Sequence, residues 1–323
     1  MKAAYLLIVL AAAPLFAQVG IKQGSDRILV TIDGKPFTDF FIGSGSSKPY
    51  LHPLRAASGT VVTRAYPMEM LEGESHDHVH HRGLWFTHGN VNGIDFWANE
   101  PSQSAQGKKG KVVVKKVGEL KGGKKSGSLE ATFDWLQPDG KPILTEQRKM
   151  TFYAHPTLRT IDFDITLTAI EQAKFGDTKE GTFAIRLAPW MEEPTRRSLA
   201  SPKRTGKMVA SDGKQGESQI WGKRAPWVDY YGQTGEETLG VAIMDHPSNP
   251  KHPTYWHARS YGLFAANVFG EHDYYNDKSR DGGLTVPAGG TLRFVYRVVI
   301  HPGNAEQAGI AGIYQQFSKM KVK

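Results

Sequence analysis

Five of the chain's twelve histidines fall within thirteen residues, from His76 to His88. The longer segment from His76 to Trp97 also carries arginine, asparagine, aspartate and two tryptophans. Imidazoles act as acids, bases or hydrogen-bond donors near neutral pH, and they also bind metals. Glycines within the segment allow tight turns that can bring these side chains together. This segment, His76–Trp97, is therefore the strongest candidate for a ligand site in the sequence.

Side chains with several hydrogen-bonding atoms, combined with flat aromatic faces, suit a sugar. Its ring offers hydroxyls at its edge and CH groups on its face. We predict that His80, His81, His88 or His257 acts as acid or base, with Asp95 or Asp229 as a carboxylate partner or base. Arg82 and Arg259 would stabilise negative charge on oxygen. The side chains predicted to contact the sugar are Trp85, Asn90, Asn92, Trp97, His246, Trp256, Arg259 and Asn267.

A second cluster spans residues 245–259 and contains three histidines, two aromatic residues and Arg259. Its prolines, Pro247 and Pro253, predict a loop that forms a wall of the same pocket. A surface loop with aromatic anchors is the alternative. A third patch, residues 224–231, pairs charges with aromatics; this composition is typical of a structural segment, although Asp229 is a candidate carboxylate.

The histidines also permit a metal site. If residues 76–80 are extended, His76, His78 and His80 share one face, and three imidazoles on one face can bind a divalent metal. No H-E-x-x-H motif accompanies them. No nucleotide or flavin is expected, because the Walker-like spacing from Gly118 to Lys124 is followed by Lys125 in place of Ser or Thr.

The first seventeen residues resemble a secretory signal peptide, with Lys2 before an apolar run and a cleavage site after Ala17. The run is too short to span a bilayer comfortably, so we expect no stable membrane insertion after cleavage. The chain has no cysteine, which excludes disulfides and thiolate chemistry. These features predict a bacterial protein that is periplasmic or extracellular.

The net charge of +8 comes largely from lysines between Lys108 and Lys125. Such a cluster can mark a nucleic-acid surface, but export argues against nucleic acid as the partner. We interpret it as a solvated hairpin around Gly118–Gly127, and weak steering of acidic ligands such as uronic acids is a further interpretation.

Period-two alternation of apolar and polar residues dominates the chain and predicts a mainly β fold. Residues 18–323 are expected to form a single antiparallel β-sandwich domain. One short C-terminal helix is predicted, capped by Asn304 and carrying an apolar stripe through Phe317. The predicted strands are Arg27–Ile32, Val61–Tyr66, Lys111–Gly118, Ser128–Trp135, Ile143–Tyr153, Arg159–Ala169, Thr182–Leu187, Thr238–Met244, Leu263–Phe269 and Thr291–His301.

Four runs of sequence, His80–Phe86, Asn92–Trp97, Pro253–Arg259 and Tyr261–Asn267, resemble a bacterial family known as PmoA-like, or methane oxygenase PmoA, whose function is unknown. That family is similar to galactose-mutarotase-like β-supersandwich proteins, and residues 282–290 resemble their late strand-turn-strand. The resemblance implies a supersandwich that binds or processes sugars through histidine, arginine and acidic residues on a concave sheet face.

Three functions remain open from the sequence. The first is an exported carbohydrate-active enzyme, such as an epimerase, mutarotase, lyase or hydrolase. The second is a sugar-binding module without catalysis. The third is a metal-binding protein or oxidoreductase that uses His76, His78 and His80.

Overall fold

The computed structural model describes residues 18–43, 45–195 and 203–322. The predicted signal peptide, residues 1–17, lies outside the described residues. Within the described ranges the chain forms eighteen strands and three α-helices. The strands are β1 (Val19–Gln23), β2 (Arg27–Ile32), β3 (Lys35–Phe41), β4 (Tyr50–His52), β5 (Leu84–His88), β6 (Lys111–Lys121), β7 (Ser126–Leu136), β8 (Pro142–Tyr153), β9 (Arg159–Ala169), β10 (Ala173–Phe175), β11 (Gly181–Arg186), β12 (Lys207–Ala210), β13 (Trp227–Thr234), β14 (Glu237–Asp245), β15 (Tyr255–Ala258), β16 (Leu263–Asn267), β17 (Leu284–Val286) and β18 (Thr291–Pro302). The helices are α1 (Glu217–Ile220), α2 (Glu271–Tyr274) and α3 (Ile310–Phe317).

Two eight-stranded antiparallel sheets contain most of these strands. The first sheet has the order β1-β2-β3-β4-β5-β11-β16-β15, and the second has the order β12-β13-β14-β18-β9-β8-β7-β6. Strands β10 and β17 form a separate antiparallel pair. The mainly β, antiparallel fold with a short C-terminal helix is therefore confirmed.

The main core lies between the two sheets, and period-two alternation explains how it forms. Along β9, Ile161, Phe163, Ile165 and Leu167 alternate with polar residues and are buried. Phe86 of β5 and Phe183 of β11 enter the same core from the first sheet. Because successive side chains of a strand point to opposite faces, every second residue of the first sheet faces away from this core.

The outer faces of the two sheets differ. Helix α3 covers part of the outer face of the second sheet, where Phe317 and Ile310 pack on Val299 and Ala242. The outer face of the first sheet carries a smaller cluster built on Trp85, Trp97 and Leu263. Helix α3 therefore covers part of the second sheet, whereas loops pack on the outer face of the first sheet.

Several element predictions need correction. Residues 61–66 make only isolated bridges, Arg55 to Val61 and Thr63 to Leu187, so no strand forms there. Residues 255–258 form the edge strand β15 and not a loop, because Pro253 lies before the strand and removes no hydrogen bond from it. Within the patch 224–231, residues 227–231 belong to strand β13.

Two further segments differ from expectation. The polar, glycine- and lysine-rich composition of residues 201–218 predicts a loop, but strand β12 occupies 207–210; residues 201–202 lie outside the described part of the chain. The C-terminal helix begins at Ile310, since Gly309 adopts a left-handed φ of 66° before it. Asn304 instead caps the preceding turn, where its Oδ1 accepts a hydrogen bond from the Gln307 backbone at 2.9 Å.

The lysine-rich segment behaves as predicted. Strands β6 and β7 form a hairpin that turns at residues 122–125. None of the described helices is long and apolar enough to cross a membrane.

Asp229 and His301 form a buried pair in the second sheet. The Asp229 Oδ1 atom lies 2.9 Å from His301 Nε2, and both side chains are fully buried. Burial alone would lower the pKa of His301, but the charge and hydrogen bond of Asp229 raise it. The pair therefore satisfies two polar groups that would be costly to bury singly.

We expect Asp229→Ala to lower the free energy of unfolding by about 3–5 kcal/mol, because it leaves His301 buried without its partner. The matched control is Asp164→Ala, which removes a carboxylate from the partly exposed Asp164–Arg293 pair and should cost about 1 kcal/mol or less. Urea unfolding of both variants measures the difference. Equal, small effects would contradict the structural role of Asp229.

Candidate functional site

A row of four side chains crosses the outer face of the first sheet. His257 of β15 pairs with Ala265 of β16, Ala265 with Ala184 of β11, and Ala184 with Trp85 of β5. The residues next to them in sequence, such as Phe264, point into the main core. Because side chains alternate along a strand, these four point to the outer face of the sheet. The two alanines are small, and they pack with Trp85, Trp97 and Leu263 in one apolar cluster.

Four rings form a continuous stack above this face. The ring centroids of Tyr261 and His78 are 5.5 Å apart, those of His78 and His81 are 4.7 Å apart, and those of His81 and Trp85 are 5.2 Å apart. The stacked planes lie within 24° of parallel. His80 meets His81 edge-on at 4.5 Å. The histidine segment is thus packed ring by ring on the sheet.

Two buried guanidinium groups hold this segment in place. Arg64 Nη1 and Arg186 Nη2 both donate to Asp77 Oδ1, at 2.6 Å and 3.1 Å, and neither arginine side chain is exposed. Arg64 also donates to the His78 carbonyl at 3.1 Å. Burial alone would raise the pKa of Asp77, but the hydrogen bond from His78 and the charges of both arginines hold it well below its usual range. Asp77 therefore stays ionised and bridges the loop to the sheet.

A cavity of about 520 Å³ lies beside the ring stack. We call it the histidine pocket. Its wall combines His78, His80 and His81 with His257, Arg259 and Tyr261, so the two clusters that sequence reasoning singled out meet here. Six further residues complete the lining: Ala98, Gln103, Gln106, Lys179, Glu180 and Leu263.

His81 and His257 line this pocket with their protons on opposite ring nitrogens. Arg186 Nη1 donates to His81 Nδ1 at 3.1 Å, so the proton of a neutral His81 is on Nε2. His257 Nδ1 lies 2.9 Å from the Lys179 carbonyl oxygen, which can only accept, so Nδ1 carries the proton. The Nε2 atom of each ring is buried and has no hydrogen-bonding partner among the described residues. His81 thus offers a donor and His257 a lone pair.

Burial keeps these rings neutral. It is the main cause that lowers the pKa of His257 to about 4 and the pKa of His80 to about 2. Burial, with the neighbouring His80 ring and Arg186, holds the pKa of His81 well below its usual range. Because the rings carry no charge near neutral pH, their tautomers decide what they can bind.

A depression of similar volume lies on the exposed face of the second sheet. Four of its charged side chains form two pairs: Lys149 with Glu130 at 2.8 Å, and Arg293 with Asp164. Such ladders are typical of a solvated sheet surface. The histidine pocket, with unpaired buried nitrogens, is the better candidate for a functional site.

Several predicted site residues support the pocket without lining it. Trp85 and Trp97 are fully buried beneath the histidines, with ring centroids 5.0 Å apart. Arg82 forms a bidentate pair with Glu100 at 2.8 and 2.9 Å, which occupies the group predicted to stabilise an oxyanion. Asn267 Nδ2 donates to the Thr178 carbonyl at 2.9 Å and so fixes the loop before Lys179 and Glu180.

The position of other predicted catalytic residues argues against their assigned roles. His88 points into the core, where it donates to the Gly176 carbonyl at 2.8 Å and packs on Phe269. Asp95 accepts two backbone hydrogen bonds and pairs with Lys109 at 2.7 Å, so it stabilises a turn. Asp229 lies in the second sheet, bound to His301. None of the three lines the histidine pocket.

Four predicted sugar contacts are also engaged elsewhere. Asn90 and Asn92 fix turns through the Gly93 and Lys174 backbone amides. Trp256 lies in the main core and donates to the Ala225 carbonyl at 2.9 Å. His246 packs on Phe317 of α3, on the outer face of the second sheet.

The metal interpretation rested on an extended segment, and this premise is wrong. His78 has a left-handed φ of 45° and residues 76–80 form no strand, so their side chains do not alternate as assumed. His76 stacks instead on Tyr66 at 4.9 Å. Among the residues that the structure describes, no group of three or more His, Asp or Glu side chains is arranged to hold a metal ion.

Sequence reasoning missed Arg186, Lys179, Glu180 and Gln103. Arg186 ends a strand of apolar residues, and only its 0 % exposure identifies it as a buried charge. Lys179 and Glu180 form an ion pair at 3.0 Å in a loop of ordinary composition. The one sequence signal for Lys179 and Glu180 is that two adjacent charged residues lie shortly before the predicted strand that begins at Thr182.

We expect acid to destabilise the fold. Burial lowers the pKa of six histidines, His52, His80, His81, His88, His246 and His257. The unfolded chain therefore binds protons near pH 6.5 that the folded chain rejects, and each group contributes up to about 1.4 kcal/mol per pH unit. The urea midpoint should fall steadily from pH 7 to pH 4.5. An unchanged midpoint across this range would show that these rings are accessible to protons.

Comparison with solved structures finds only distant likeness. An α-galactosidase from Lactobacillus brevis has a TM-score of 0.44 and 11% identity over 92% of this chain, which spans 42% of that protein. A galactose mutarotase related enzyme from Lactobacillus acidophilus has a TM-score of 0.35 and 9% identity over 88% of this chain and 97% of the other. A galactose mutarotase-like protein from Lactobacillus casei has a TM-score of 0.37 and 8% identity, over 88% and 100%.

No curated protein sequence matches the chain. The resemblance to PmoA-like proteins stays a prediction, since none of these matches carries that name. A family profile does match, from residue 27 to residue 315, and its description is a family of unknown function. The chain therefore belongs to that family, DUF6807.

Proposed function

We propose that this protein is an exported carbohydrate-active protein whose histidine pocket transfers a proton at a sugar hydroxyl. The observation that carries the proposal is the opposite protonation of His81 and His257 in one pocket. A sugar offers both a hydroxyl proton for the His257 Nε2 lone pair and acceptor oxygens for the His81 N–H group, so it can satisfy both unpartnered atoms. The predicted signal peptide would place this activity in the periplasm or outside the cell.

The shape of the pocket supports a sugar ligand. Its volume of about 520 Å³ lies within the range of small-molecule sites. Tyr261 and His78 line its wall with rings that stack on each other, and Gln103, Gln106 and Glu180 supply polar groups. The polar groups suit the hydroxyls of a sugar.

The reaction that this arrangement fits best is interconversion of sugar anomers. His257 Nε2 would take the proton of the anomeric hydroxyl while the bond from that carbon to the ring oxygen breaks. The His81 N–H group would stabilise the negative ring oxygen, and the His257 imidazolium would return the proton to it. The product is the open-chain aldehyde, which closes again by the reverse steps.

Hydrolysis fits less well. Glycosidases generally use two carboxyl groups that flank the scissile bond. Glu180 is the one carboxylate that lines the pocket among the described residues, and it is paired with Lys179 at 3.0 Å.

A sugar-binding module without catalysis is the second candidate. It is favoured by one observation, the lowering of the His257 pKa to about 4 by burial, because a weaker base accepts a hydrogen bond more readily than it abstracts a proton. The two candidates share the pocket and differ in turnover.

Exchange NMR of a panel of reducing sugars tests the proposal. The protein should accelerate exchange between the α and β anomeric protons of at least one sugar in the panel. Binding without acceleration would support the module, and the absence of both binding and exchange across the panel would remove the carbohydrate assignment.

His257→Asn removes the proposed base but keeps the hydrogen bond that fixes its side chain. The asparagine amide can still donate to the Lys179 carbonyl, but the Nε2 lone pair is lost. We expect the exchange rate to fall about 100-fold or more, with an unchanged melting temperature. His246→Asn is the matched control, because His246 lies outside the pocket and should leave the rate unaltered. Normal exchange in His257→Asn would show that another group moves the proton.

A further inference from the structure

His80 and His81 form a pair of adjacent donors. Gln103 Nε2 donates to His80 Nδ1 at 3.0 Å, as Arg186 Nη1 does to His81 Nδ1 at 3.1 Å. In both neutral rings the remaining proton is therefore on Nε2. The ring centroids are 4.5 Å apart, and both rings line the histidine pocket. Two N–H groups on neighbouring rings, whose planes meet at 79°, can each donate to one oxygen of a carboxylate.

The charges that act most on these rings are positive, although burial lowers the pKa of Lys48 to about 7, so this amine is only partly charged near neutral pH. Besides other histidines, the ionisable groups whose charge acts most on His80 and His81 are Lys48, Arg64, Lys109 and Arg186. Lys48 is fully buried, and its Nζ atom donates to two neutral oxygens, the Trp97 carbonyl at 2.5 Å and Asn99 Oδ1 at 3.0 Å. A positive potential at two N–H donors favours a negative oxygen group.

The charges at the rest of the pocket are balanced. Lys179 pairs with Glu180 at 3.0 Å, and Arg259 pairs with Glu217 at 2.7 Å. Arg64 and Arg186 have no exposed side-chain surface and are bound to Asp77, so they do not contact a ligand directly. A phosphate dianion is usually held by direct contacts to arginine or lysine. Neutral donors in a moderately positive field instead suit a group with one negative charge.

We infer that the sugar bound in the histidine pocket carries a carboxylate, as in a hexuronic acid, and that His80 and His81 bind this carboxylate through Nε2. The inference rests on the proposed carbohydrate function and adds the chemical class of the ligand. C5 of a hexuronic acid carries the carboxylate and is bonded to the ring oxygen, so the His81 N–H group lies beside both of these acceptors. His257, with its bare Nε2, then accepts a hydrogen bond from a hydroxyl of the same sugar.

Titration calorimetry with three ligands tests this assignment. D-Glucuronate carries the carboxylate, D-glucuronamide replaces it with an uncharged amide of the same shape, and glucose 6-phosphate carries a phosphate. We expect glucuronate to bind at least about ten-fold more tightly than either of the others, because a hydrogen bond to a charged group is worth more than a neutral one.

His80→Phe removes one donor and keeps a ring against His81. It should weaken glucuronate binding about ten-fold or more and change glucuronamide binding by less than about three-fold. His76→Phe makes the same change within the histidine segment but outside the pocket, and it should leave both affinities unaltered. His80→Phe is chosen over His81→Phe because it leaves Arg186 with its acceptor, and the melting temperatures of both variants verify folding.

These outcomes distinguish a failure of the carboxylate assignment from a failure of the proposed carbohydrate function. Equal affinity for glucuronate and glucuronamide, or equal loss of both in His80→Phe, would overturn the carboxylate assignment while the carbohydrate pocket stands. Tighter binding of glucose 6-phosphate would also overturn it. Failure of every sugar in the wider panel to bind or exchange would remove the proposed function and this inference together.

Discussion

The shared carboxylate of Asp77 is the contact on which the site depends. It joins two fully buried arginines, Arg64 from the loop before the histidine segment and Arg186 from the end of β11. Both guanidinium groups are buried, so loss of the carboxylate would leave two buried charges without their ionic partner, which is costly. Through them the histidine segment is fixed to the outer face of the first sheet, although 105 residues separate His81 from Arg186.

This contact also determines the chemistry of the pocket. Arg186 donates to His81 Nδ1 and so places the His81 proton on Nε2, while the Lys179 carbonyl places the His257 proton on Nδ1. Burial excludes the charged form of both rings near neutral pH. At these two positions the pocket therefore presents uncharged rings whose hydrogen-bond directions are fixed. Small residues on the sheet beneath, Ala184 and Ala265, leave room for the indole and imidazole rings to pack close to the strands.

The sequence predicts the fold better than the site. Strict alternation over eleven residues predicts the first and last residues of β9 correctly, because a half-buried strand imposes a period of two. Strand β15 escapes prediction, since nearby prolines and a mixed composition obscure its short alternation. The unusual composition of the histidine segment reveals one wall of the pocket. Arg186, Lys179 and Glu180 escape because each acquires its role through a partner that is distant in sequence or through the backbone of another segment.

The opposite protonation of His81 and His257 is the central claim, and long-range ¹H–¹⁵N correlation NMR of the histidine side chains measures it directly. At pH 7 the account predicts two neutral rings, with the proton of His81 on Nε2 and that of His257 on Nδ1. Single His→Gln variants assign the two signals. An imidazolium at either position, or the same tautomer in both rings, would contradict the account.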